Sequence, residues 1–185
     1  MEPMGSQYGK KAYVNGLLIA LNVLFFLYLE ITGSSEDAYF MYTKGAMYAP
    51  TVLEDGEYYR LLTAMFMHFG IRHIMNNMLV LFVLGDNLER ALGHVKYLIF
   101  YLLCGIGSNW VSMMAHTADT MTVSAGASGA IFGLTGALLC LAILNHGRVG
   151  NITKQGMIVM ILISLYTGFT SGGVDNLAHV GGLLT

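Results

Sequence analysis

Ser128 lies between Gly126 and Gly129 in the stretch TVSAGASGAIFGLTGA, residues 122–137, where a polar loop gives way to a long apolar run. A serine hydroxyl is a poor nucleophile until a base takes its proton. A candidate base stands in DNLAHVGG, residues 175–182, where His179 is flanked by Ala178 and two glycines. Further upstream, RHIMNN at 72–77 sets His73 and Asn77 four residues apart, hence on one face of a helix. These residue types suit acyl transfer. Asn77 could donate from its amide, His73 from its ring and Ser128 from its backbone N–H to a developing oxyanion, each donor worth about 3–4 kcal/mol in other hydrolases. The start of a helix at Ser128 would add a favourable dipole. Gly126 and Gly129 keep side chains out of the approach. Phe132, one turn below Ser128, can pack against the ring of His179.

The elements that must position these groups are apolar runs. Of 185 residues, 55% are hydrophobic and 11% charged, against roughly a quarter charged in a soluble domain. A helix needs about 20 apolar residues to cross the hydrocarbon core. Runs over 12–32, about 71–88, 95–115 and 128–145 approach that length, and one over about 152–168 is shorter but adequate. A sixth begins near Leu177 and stops at Thr185; its nine residues, at about 1.5 Å each, are too few to span. The expected fold is an all-α polytopic membrane protein with six transmembrane helices, the sixth truncated, forming a single domain over 1–185. Lys10 and Lys11 before the first run favour an uncleaved first helix over a signal peptide, because the run is long and further spans follow.

Positive charge sets the orientation. Lys10 and Lys11, Arg90 and Lys96, and Arg148 and Lys154 fall in segments that should share the cytoplasmic side, making 1–11 a cytoplasmic tail. Glu36, Asp37, Glu54, Asp55, Glu57, Asp119 and Asp175 fall in the opposite loops, with Lys44, Arg60 and Arg72 as exceptions there. The outer first loop, 33–72, contains the mostly apolar Leu61–Phe69, too short to cross and better suited to an embedded half-helix. His73, Asn77, Ser128 and His179 then all fall in the outer half of the membrane, where polar groups are costly and mark function by default.

Each group also has a plainer reading. Ser128 with Gly129, Gly133 and Gly136 could be a small-residue packing face. His179 could be a hydrogen-bonded packing residue, and His73 and Asn77 could serve structure alone. The same residues could line the path of a small transporter or channel. Asn15 and Asn22 read as interhelical hydrogen bonders, and Cys104 and Cys140 as small buried hydrophobes. Asp175, four residues before His179, could touch that ring but is expected to face solvent. His68 and His73 do not suffice for a metal site, since no carboxylate or further histidine is well placed at their depth. The net charge of −2 and the lack of a basic stripe argue against nucleic acid as a partner. The spacing departs from the soluble-hydrolase G-x-S-x-G elbow, since Gly129 directly follows Ser128.

The ordered set resembles the rhomboid family of intramembrane serine proteases, from about Tyr58 to Gly182. GASG at 126–129 resembles the family's nucleophile motif, AHVGG at 178–182 the helix bearing its general base, and HIMNN at 73–77 its H-x-x-x-N. MHFGIRH at 67–73 and GDNLER at 85–90 resemble further family segments, implying structural roles for His68 and Glu89. The family's common Trp-Arg in the first loop is Tyr59-Arg60 here, and its sixth helix continues well past the histidine. The resemblance implies a Ser128–His179 dyad assisted by His73 and Asn77, with no metal and no cofactor. The substrates would be proteins anchored by one transmembrane helix, cut near its outer end, with water arriving through a polar cavity. A multi-pass protein of the plasma membrane with a cytoplasmic N-terminus is expected. The alternative within the resemblance is an inactive relative that binds or escorts transmembrane helices; such relatives usually lack the serine or the histidine. The sequence leaves the oligomeric state open.

Overall fold

The computed structural model describes residues 11–117, 122–170 and 174–185. Lys10, Asp119 and residues 1–10 of the expected tail lie outside the described residues. The apolar runs are helices: α1 Tyr13–Thr32, α5 Gly70–Leu92, α6 His94–Ala115, α7 Ser128–Leu144, α8 Lys154–Thr170 and α9 Asn176–Leu184. Three short helices, α2 Ala38–Thr43, α3 Ala49–Glu54 and α4 Arg60–Thr63, fold the first loop. By length and composition, α1 and α6 are apolar enough to cross a membrane; α4 with the 3₁₀ turn Ala64–Phe66 bends by 90° into α5.

The fold departs from an all-helical expectation in two ladders. β1, Met47–Tyr48, pairs antiparallel with β2, Val123–Ser124, with Met47 opposite Ser124. β3, Arg148–Val149, pairs with β4, Ile152–Thr153. The first ladder ties the first loop to the segment leading into Ser128.

α7 is the central element. Gly129 through Thr135 are buried on every face, the pattern of a helix surrounded by others, while further along only the side bearing Leu138 and Ala142 stays buried. α1 instead buries one stripe, Asn15, Leu18, Asn22, Phe26 and Leu29, and turns Leu17, Leu24 and Ile31 outward. Exposed apolar faces of this kind fit a lipid surround.

Glu89, near the end of α5, is buried and joins three helices. Its carboxylate accepts from the N–H groups of Val14 at 3.0 Å and Asn15 at 2.6 Å. It thereby caps the start of α1, which has no side-chain cap of its own, and it also meets His94 Nδ1.

Asn15 bridges helices as expected, donating to Leu81 O and accepting from Tyr97 Oη. The Asn22 amide donates to Leu18 O within its own helix. Cys104 is buried, but Cys140 is exposed, because it lies on the outward side of α7.

Candidate active site

Ser128 is the first residue of α7, and Ala127 occupies the cap position. A partly buried loop presents it. The N–H of Gly126 donates to Ala64 O at 2.9 Å, and the N–H of Ala127 donates to Nε2 of the fully buried His68 at 3.3 Å. His68 also packs edge-on against His73, with ring centroids 5.1 Å apart. The first loop is thus the floor under the serine, with its helices held by the Asn109 amide bond to Leu61 O at 2.8 Å.

His179 lies on α9 and is buried, and its Nε2 is 2.9 Å from Ser128 Oγ. With the ring proton on Nδ1, Nε2 accepts the serine O–H. Nδ1 has no hydrogen-bond partner among the described residues, so no carboxylate orients this ring directly. Phe132 does part of that work: its ring stacks on His179 with centroids 4.3 Å apart and planes 13° from parallel.

Glycine is needed where α7 meets α9. A Cβ on Gly182 would sit 2.0 Å from the backbone oxygen of Gly129, and one on Gly129 would sit 1.8 Å from Ser108 Oγ. Ser108 was not singled out in the sequence. Its hydroxyl donates to Ala178 O at 2.7 Å, fixing the residue before the histidine to α6.

Gly126 has φ +145°, a backbone that side-chain-bearing residues avoid. The point where its Cβ would stand is 3.0 Å from His73 Nε2 and 3.5 Å from Ser128 Oγ. A side chain there would crowd both groups, so glycine at 126 leaves open the space between the His73 ring and the Ser128 hydroxyl. Asn77 is buried one turn along the same face of α5, and one amide hydrogen is used on His73 O at 2.9 Å. The amide has a second.

A cavity of about 990 Å³ is lined by His73, Asn77, Gly126, Ser128, Phe132 and His179. The structure therefore brings together every site residue selected from the sequence, Gly129 included. Along its length the cavity runs between α5, at Asn76 and Val80, and α8, at Met160, Ile161 and Ser164.

One expectation fails. Asp175 is not a free solvent-facing carboxylate. It accepts from Ser124 Oγ at 2.9 Å, from the N–H of Ala178 at 2.9 Å and from Ser112 Oγ. Polar partners on three elements hold it at the cavity wall.

Comparison with known proteins points the same way. A rhomboid-domain family model matches residues 55–185. Rhomboid protease GluP of Bacillus subtilis is 38% identical over 178 residues, covering 96% of this chain and 34% of that protein. RHOMBOID-like protein 4 of Arabidopsis thaliana is 33% identical over 145 residues, 77% of this chain and 36% of its own length. A putative rhomboid protease of Bacillus subtilis, YdcA, is 31% identical over 129 residues, 70% of this chain and 64% of its own length. The chain spans about a third of the length of the first two.

Proposed function

Because this chain belongs to the rhomboid family, we propose that it is an intramembrane serine endopeptidase working through a Ser128–His179 dyad. It is an integral membrane protein, and its substrates are proteins anchored by a single transmembrane helix. The observation that carries the reading is the 2.9 Å contact between Ser128 Oγ and His179 Nε2 on the wall of the cavity.

The chemistry follows from that contact. As Oγ attacks a peptide carbonyl, its proton passes to His179 Nε2. The carbonyl oxygen becomes an oxyanion that His73 Nε2, the second N–H of Asn77 and the backbone N–H of Ser128, all on the cavity wall, would stabilise as donors. His179 then returns the proton to the leaving amine. Water entering the cavity repeats the sequence on the acyl ester, giving a carboxylic acid and restoring the serine. Gly126 and Gly129 support the site by leaving room, and Phe132 by holding the base ring flat.

Five helices, α1 and α5 to α8, would span the bilayer, with the nine-residue α9 entering it as part of a sixth, in one domain covering 1–185 with the N-terminus cytoplasmic and the site facing outward in the plasma membrane. The 17 residues of α7 make a helix of about 25 Å, shorter than a hydrocarbon core of about 30 Å. Ser128 would therefore start below the outer boundary. The α5–α8 side of the cavity would admit the outer end of a substrate helix, locally unwound.

Cleavage of a single-span reporter in proteoliposomes tests the reading. Ser128→Ala is expected to abolish it. Unchanged cleavage by that variant would refute the proposal, whereas escort of a helix or passage of a solute would survive loss of one hydroxyl.

A further inference from the structure

We propose that Asp175 is a positioning residue for the base, acting through the helix that carries His179. The inference rests on the dyad reading above. Asp175 caps α9, its Oδ1 accepting from the N–H of Ala178 at 2.9 Å. Its Oδ2 accepts from Ser124 Oγ at 2.9 Å and from Ser112 Oγ. One carboxylate thus ties three pieces together: the first turn of α9, the last turn of α6 and β2, which leads within two residues to Gly126.

His179 sits one turn after Asp175, and its own N–H donates to Asp175 O at 3.3 Å. The imidazole has no partner on Nδ1 among the described residues. Nothing fixes the ring through its far nitrogen, so its height and rotation depend on the stacking by Phe132 and on where α9 begins. Asp175 sets that beginning relative to both the neighbouring helix and the serine loop. The acidic member of a Ser-His-Asp triad orients the ring directly; here the acid orients the helix instead.

Asp175→Asn leaves one acceptor oxygen where two are used, so either the N–H of Ala178 or the Ser112 and Ser124 hydroxyls would face an amide NH₂ instead, and α9 would shift or rotate at its first turn. A displacement of about 1 Å between base and nucleophile can cost 10²-fold in rate.

The test uses the full chain in proteoliposomes with a serine-directed fluorophosphonate, recording the labelling rate constant and the labelling end-point separately, and a transmembrane reporter for kcat and KM. For Asp175→Asn we expect an end-point equal to wild type and a rate constant lower by about 10- to 100-fold. kcat should fall in parallel while KM stays within about twofold. Ser112→Ala/Ser124→Ala keeps the cap on Ala178 and should show the same split with a smaller slowing, which decides the matter where Asp175→Asn does not fold. A wild-type rate constant in either folded variant, or a smaller end-point with an unchanged rate constant, would overturn the proposal. Absence of Ser128-dependent labelling in the wild-type chain would instead overturn the dyad reading, and this inference with it.

Discussion

Replacing Gly182 by alanine adds one methyl group at the tightest approach between α7 and α9. Its Cβ would lie 2.0 Å from the backbone oxygen of Gly129. A comfortable carbon–oxygen separation is about 3.5 Å, so the two backbones must part by roughly 1.5 Å. A backbone carbonyl inside a helix cannot swing aside as a side chain can. Gly129 follows Ser128 directly, and Gly182 lies three residues from His179 on the face toward α7, so the displacement passes to the dyad. A contact of 2.9 Å would lengthen to about 4 Å, beyond hydrogen-bond reach. General-base assistance is worth about 10²–10⁴-fold. Gly182→Ala should therefore lower kcat/KM on a transmembrane reporter by about 10²–10³-fold, or about 3–4 kcal/mol of transition-state stabilisation.

Gly16→Ala provides the contrast. Gly16 lies in α1 with nothing within 4 Å of the added carbon, so activity should be unchanged. The intrinsic preference of helices for alanine should leave stability equal or up to about 1 kcal/mol higher. Both variants would be assayed for cleavage in proteoliposomes and for thermal unfolding in detergent. A folded Gly182→Ala that cleaves within about threefold of wild type would refute the reasoning, because close backbone approach would then not be what sets the dyad distance.

Other substitutions probe separate parts of the account. Asn77→Ala should reduce turnover by about 10–10³-fold without abolishing it, since His73 and the Ser128 N–H still face the oxyanion; increased turnover, or complete loss with normal folding, in a steady-state assay would exclude the assigned role. Glu89→Gln weakens the cap on Val14 and Asn15 and should lower stability by about 1–3 kcal/mol, seen as a lower unfolding midpoint in Glu89→Gln than in wild type. In the first loop, Arg60 Nε binds Glu57 at 2.6 Å, and this bond holds the Glu57 carboxyl below its ordinary value of 4.5. A carboxyl with a depressed pKa adds stability that is present above its unfolded value and lost as pH falls through the folded one. Glu57→Gln should therefore reduce the decline in unfolding midpoint that wild type shows below about pH 4.5; identical pH profiles would contradict this.

The parts of the fold that were legible in the sequence are those written in long apolar runs. The runs at 12–32, 95–115 and 128–145 match α1, α6 and α7 to within a residue at each end, because a 17- to 22-residue helix leaves an unbroken hydrophobic record. The site residues were legible by type: a serine among glycines and a histidine at the head of another apolar segment have few uses. The β1–β2 ladder was not legible, because two-residue strands carry no periodicity and Met47 and Ser124 pair across 77 positions. Asp175 was misjudged because spacing along one helix suggested only His179 as its neighbour, whereas Ser112 and Ser124 reach it from elsewhere in the chain. Cys140 is exposed, against expectation, for a related reason. An apolar run does not say which of its faces meets protein.

The central claim is that Ser128 Oγ is made nucleophilic by His179. Peptide mapping by mass spectrometry after fluorophosphonate treatment tests it most directly. The account requires a single adduct on Ser128 in the wild-type chain, and its loss, or a rate lower by about 10³-fold or more, in folded His179→Ala. An adduct on another serine, or Ser128 labelling at the wild-type rate without the imidazole, would contradict it.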